Sequence, residues 1–168
     1  MKAIVSIIMG STSDLPVLKK AAEFLDQMEV PFEMNALSAH RTPAQVEAFA
    51  RNAASRGIKV IIAAAGMSAA LPGVIAAQTT LPVIGVPINS SLDGMDALLS
   101  IAQMPPGIPV ATMGINGAMN AAVMAVSILA LSDSDLAERY AEYKRGLAGK
   151  IVKANEELAR LEGYRFKV

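Results

Sequence analysis

The chain's one histidine, His40, stands beside Arg41 in the run Ser38-Ala39-His40-Arg41-Thr42-Pro43. An imidazole can exchange protons near neutral pH, and a guanidinium can hold a phosphate in a forked, charge-assisted contact. The same residues also read as an exposed histidine in an ordinary loop. Upstream, Gly10-Ser11-Thr12-Ser13-Asp14 offers a glycine turn, three hydroxyls and the start of a helix. Backbone N–H groups and the helix dipole there favour an anion such as a phosphate. It is not a Walker loop, since the lysine and the spacing are both missing. In the plainer reading, Ser13 and Asp14 only cap the helix. A third stretch, Gly66-Met67-Ser68-Ala69-Ala70-Leu71-Pro72-Gly73, has no ionisable group. Met67, Ala69, Ala70 and Leu71 make either a small, dry wall behind the polar loops or simple core packing under a helix start. Asn89-Ser90-Ser91 is the fourth polar cluster of this apolar chain.

Each cluster follows a compact apolar run and precedes a helical one. Strand-type runs are Ala3 to Met9, Phe32 to Leu37, Lys59 to Ala65, Pro82 to Val86 and Val110 to Met113. Helical spacing covers Leu15 to Met28, a segment from Pro43 to near Gly57, and then Pro72 to Thr79, Gly94 to Gln103 and Asn116 to Leu131. Thr42-Pro43-Ala44-Gln45 reads as a capping box with proline in the first turn. Consecutive apolar residues mark strands buried on both faces, as parallel strands are beneath helices. The alternation predicts a three-layer α/β/α fold with a doubly wound, flavodoxin-like parallel sheet of about five strands. Ligands of such sheets sit beyond the carboxyl ends of the strands, where the four clusters fall.

Fifteen basic and fifteen acidic residues cancel in 168, so no basic field exists to gather nucleic acid. Apolar residues at 53% and charged ones at 18% exclude disorder. The absence of cysteine removes disulfides, thiolate metal sites and thiol nucleophiles, and a single histidine removes a multi-histidine metal centre. Val60 to Ala77 carries no charge over eighteen residues, but Gly66, Pro72 and Gly73 break it. A buried strand, a turn and a helix are expected there rather than a membrane span. The amino terminus has one lysine, a short apolar run and no small-residue cleavage pattern, which reads as a chain without a signal peptide.

The expected organisation is one catalytic domain over residues 1–168, with an α/β core in 1–131 and a long helix in 132–168. Leu136, Tyr140, Tyr143, Leu147, Ile151, Ala154, Leu158 and Leu161 form one apolar stripe on that helix. The stripe suits packing on its own domain as well as on a neighbouring subunit.

Taken together the loops resemble a known family. M-G-S-T-S-D at 9–14, S-A-H-R-T-P at 38–43, A-L-P-G-V-I-A-A at 70–77, P-V-I-G-V-P at 82–87, S-I-A-Q-M-P-P-G-I-P-V at 100–110 and N-A-A at 120–122 share its order and spacing. The chain looks like the bacterial class I 5-(carboxyamino)imidazole ribonucleotide mutases of purine synthesis, the PurE family. The resemblance implies a cytoplasmic homo-octamer with no metal or organic cofactor. It also implies that Ser11, Ser13, Asp14, Ser38 and Arg41 hold the ribose and phosphate of the substrate, and that His40 is the general acid–base. Gly66, Met67, Ala70 and Leu71 would then wall in the migrating carboxylate.

One departure stands out. Class I members usually read A-A-H-L-P-G where this chain has Ser68-Ala69-Ala70-Leu71-Pro72-Gly73, so Ala70 replaces a second histidine. Two other functions fit a similar site: a carboxylase joining free carbon dioxide to aminoimidazole ribonucleotide, and a catalytically impaired or silent ribonucleotide-binding variant.

Overall fold

The computed structural model describes residues 2–165 and 167. The apolar runs form five strands: β1 Val5–Met9, β2 Phe32–Ala36, β3 Val60–Gly66, β4 Val83–Ile88 and β5 Ala111–Thr112. All pair in parallel, in the order β2-β1-β3-β4-β5. This is the flavodoxin-like order, and the chain changes winding direction between β1 and β3.

Side chains alternate across the sheet, so each apolar strand feeds two cores. On β3, Val60, Ile62 and Ala64 face one layer, while Ile61, Ala63 and Ala65 face the other. The first layer is built by α1 (Leu15–Gln27), α5 (Ala118–Leu129) and the start of α6 (Ser134–Ala159), through Leu18, Phe24, Leu25, Ala121, Ala125 and Leu136. The second is built by α2 (Pro43–Asn52), α3 (Leu71–Ala76) and α4 (Met95–Ala102), through Val46, Ala50, Leu71, Ile75, Ala97 and Ile101. Val60 to Ala77 is the expected buried strand, turn and helix. No helix among the described residues is long and apolar enough to cross a membrane.

The differences from expectation lie at element ends. Strand β5 keeps two residues of the four expected, because it pairs only with β4 and lies between Pro109 and Gly114. Regular helix α2 stops at Asn52, and a turn then closes the segment. Gly57 N–H donates to Ala54 at 3.0 Å and Ile58 N–H to Ala53 at 3.1 Å, with Gly57 at φ +99°. That bonding is a Schellman closure, which needs a residue tolerant of left-handed backbone.

The terminal stripe divides along its length. Leu136 is buried and Tyr140 and Tyr143 pack on the domain's own core, with the Tyr143 ring edge-on to Phe24 at 4.9 Å. Leu147, Ile151 and Leu158 are exposed. Asp133 caps the helix by accepting from Leu136 N–H at 2.9 Å.

Candidate active site

The first loop leaves β1 as extended backbone at Ser11, followed by a 3-10 turn at Thr12–Asp14 that runs into α1. The Ser11 hydroxyl accepts from Ser13 N–H at 3.3 Å, and the Ser13 hydroxyl donates to Asp14 Oδ1 at 3.3 Å. Asp14 occupies the cap position of α1 but makes no side-chain cap bond. Simple capping by this carboxylate therefore does not explain it. Asp14 is only 8% exposed, and burial pushes its carboxyl above the usual range, against the lowering effect of its contacts with Ser13 and the Ser11 backbone.

The second loop joins β2 to α2. The expected capping box does not form: the Thr42 hydroxyl makes no bond to the helix. It accepts instead from Ser38 N–H at 2.9 Å and donates to the Ser38 carbonyl at 3.1 Å, drawing the His40-Arg41 segment into a closed turn. Arg41 N–H donates to the Ser38 hydroxyl at 3.2 Å, and Arg41 Nη2 donates to the Gly10 carbonyl at 2.8 Å. The arginine thus bridges the first two loops. His40 is exposed, and its side chain has no hydrogen-bond partner among the described residues.

The third loop, between β3 and α3, turns through Met67 at φ 55° and Ala69 at φ 23°, with Ala69 N–H donating to the Gly66 carbonyl at 3.1 Å. Left-handed backbone of this kind costs an L-residue roughly 1–2 kcal/mol, so surrounding contacts must hold it. Ala69 and Leu71 are buried, while Met67 is exposed. Gly66 is pressed against the fourth loop: a Cβ there would meet the Ser90 Cβ at 3.1 Å and its hydroxyl at 3.2 Å.

These loops enclose one cavity of about 510 Å³ at the β1/β3 switch point. The ten residues to which the family resemblance gives a role all line it: Ser11, Ser13 and Asp14; Ser38, His40 and Arg41; Gly66, Met67, Ala70 and Leu71. The lining also includes Ser68 and Ser90, to which the sequence assigned no role. Ser90 lies in the polar cluster after the fourth strand, and the adjacency of β4 to β3 is what brings it in. The groups able to carry charge gather on the β1 and β2 side, and the loop after β3 contributes no ionisable group to the lining. No group of three His, Cys, Asp or Glu side chains gathers among the described residues in a way that could hold a metal.

Residues 4–150 match the model of the family described as AIR carboxylase. The chain is 57% identical over 144 residues to the N5-carboxyaminoimidazole ribonucleotide mutase of Pyrococcus abyssi, a match covering 85% of this chain and 83% of that one. It is 50% identical over 161 residues to the mutase of the same name from Bacillus subtilis, covering 94% and 99%. The crystal structure of Treponema denticola PurE matches with a TM-score of 0.84 at 30% identity, covering 93% of this chain and 98% of that chain. A family match over most of its length and relatives at half identity or better place the chain plainly: it belongs to the AIR carboxylase family.

Proposed function

We propose that the chain is a 5-(carboxyamino)imidazole ribonucleotide mutase of purine biosynthesis, forming 4-carboxy-5-aminoimidazole ribonucleotide. The observation that carries this reading is the cavity itself, in which His40 shares a space with a phosphate-type cluster and a third loop without ionisable groups. The names of the relatives from Pyrococcus abyssi and Bacillus subtilis support the same reaction. Arg41 and the Ser11, Ser13 and Ser38 hydroxyls bind the substrate phosphate, and Asp14 binds the ribose.

His40 protonates the carbamate nitrogen, and the nitrogen–carbon bond breaks to leave an amine and carbon dioxide. The ring carbon then attacks that carbon dioxide and its proton returns to His40, so the catalyst is restored and no atom is gained or lost. Gly66, Met67, Ala70 and Leu71 keep the carbon dioxide beside the ring, which makes recombination effectively intramolecular. Ala70 leaves that wall small and dry. No step needs a cofactor.

The reading also places the enzyme in the cytoplasm as a single catalytic domain assembled into a homo-octamer. The exposed Leu147, Ile151 and Leu158 of α6 support packing between subunits. Light scattering on the purified protein tests the assembly, and a stable monomer would count against it.

The test of activity is turnover of 5-(carboxyamino)imidazole ribonucleotide without added bicarbonate, following rearranged product and released aminoimidazole ribonucleotide separately. Rearranged product as the main outcome supports the mutase. Product that forms only from aminoimidazole ribonucleotide and bicarbonate would replace it with the carboxylase, and binding without turnover with the silent variant.

A further inference from the structure

The polar side chains on the cavity wall fall into two sets. Ser11, Ser13, Ser38, Asp14 and Arg41 are engaged with one another or with backbone. His40, Ser68 and Ser90 line the same cavity with no hydrogen-bond partner on their side chains among the described residues. His40 already has a role in the proposed reaction. The two hydroxyls do not.

Their positions in the sheet separate them. Neighbouring strands lie about 4.8 Å apart, so β2 and β3, which flank β1 and carry the His40 and Ser68 loops, lie about 10 Å apart. A flat five-membered ring fits that gap. Ser68, on the loop after β3, is exposed and lines the same cavity as His40. Ser90 belongs to the loop one strand further out and rests against Gly66.

Ser68 is also the only side-chain hydrogen-bond donor that the third loop offers, its cavity neighbours being Gly66, Met67, Ala69, Ala70 and Leu71. A carboxylate drawn out of water against such a wall is heavily penalised unless a donor meets it.

We infer that the Ser68 hydroxyl is the donor that recognises the substrate's carboxylate, and so determines specificity for carboxylated over uncarboxylated ribonucleotide. The inference rests on the proposed function. A hydroxyl bonds strongly to a carboxylate anion and weakly to neutral carbon dioxide. Ser68 therefore holds the two end states of the transfer and releases the group between them. It sets affinity for substrate and product more than the rate of bond cleavage.

Calorimetric titration of the full chain with 4-carboxy-5-aminoimidazole ribonucleotide and, separately, with aminoimidazole ribonucleotide tests this. Ser68→Ala should weaken the carboxylated ligand about tenfold and the uncarboxylated one less than about twofold, as expected for losing one hydrogen bond to a charged group. Ser68→Thr, which keeps the hydroxyl, should restore the preference. A wild type that prefers the carboxylated ligand while Ser68→Ala keeps the same preference overturns the inference alone. A loop damaged by the substitution would weaken both ligands equally, and that result also overturns it. A wild type that binds neither ribonucleotide overturns the proposed function and the inference together.

Discussion

The Arg41 guanidinium donates from Nη2 to the Gly10 carbonyl at 2.8 Å, tying the loop after β2 to the loop after β1. The same side chain also approaches the Ser38 hydroxyl through Nε at 3.4 Å. An arginine can hold both contacts and still present a free N–H edge to a phosphate, because its donors are fixed in a planar fork. A lysine offers one compact charge and cannot span the two loops. Arg41→Lys should raise KM about tenfold or more with a smaller effect on kcat, measured by steady-state kinetics. An unchanged KM would remove Arg41 from phosphate binding.

Removal of the one imidazole gives a different signature. His40→Asn should lower kcat by about 10²–10⁴ while KM and thermal unfolding stay close to wild type, since His40 is exposed and its side chain has no hydrogen-bond partner among the described residues. Substantial residual turnover in a purified variant would end the single-base scheme.

Asp14 links the site to stability. Burial raises its carboxyl above the ordinary value of 3.8, so between the two values the folded chain holds more protons than the unfolded one. Stability is lost as pH rises through the raised value and is fully present below 3.8. Asp14→Asn should therefore melt higher than wild type at pH 7, with the gap closing as pH falls toward 4. The same variant loses a charged acceptor, and ribonucleotide affinity should fall about tenfold or more. Thermal melts across pH, paired with binding measurements, check both halves.

The two halves of α6 should respond differently to truncation. Leu136 is 1% exposed and Ile151 is 64% exposed. Leu136→Ala should cost about 2–5 kcal/mol, the range for a large core side chain cut to alanine. Ile151→Ala should cost less than about 0.5 kcal/mol within the single chain. Denaturant unfolding at low protein concentration compares the two; equal losses would mean that the distal half is also held by its own domain.

Much of this architecture is written in local sequence. Runs such as Val60 to Ala65 are apolar at every position and β-branched at the start, the pattern of a strand covered on both faces. The site was legible for the same reason, since polar residues in so apolar a chain collect where strands end. What stayed hidden depends on distant partners. The Thr42 hydroxyl had two possible uses, and only the path of Ser38 decided between them. Ser90 joins the cavity because β4 lies next to β3, a fact of strand order that local sequence does not contain. The α6 stripe shows that an apolar face exists and is silent on what covers it.

The docked start of α6 has a kinetic consequence. Closing the first turn of a helix is the unfavourable step, with a nucleation constant of about 10⁻³, whereas each further residue adds one bond for one residue fixed. Leu136, held in the core, and Asp133, bonded at the cap, supply that nucleus. The projecting half has only to propagate. It should zip outward from the domain and unzip from the Ala159 end, with Gly146 and Gly149 as the weak links where the zipper pauses.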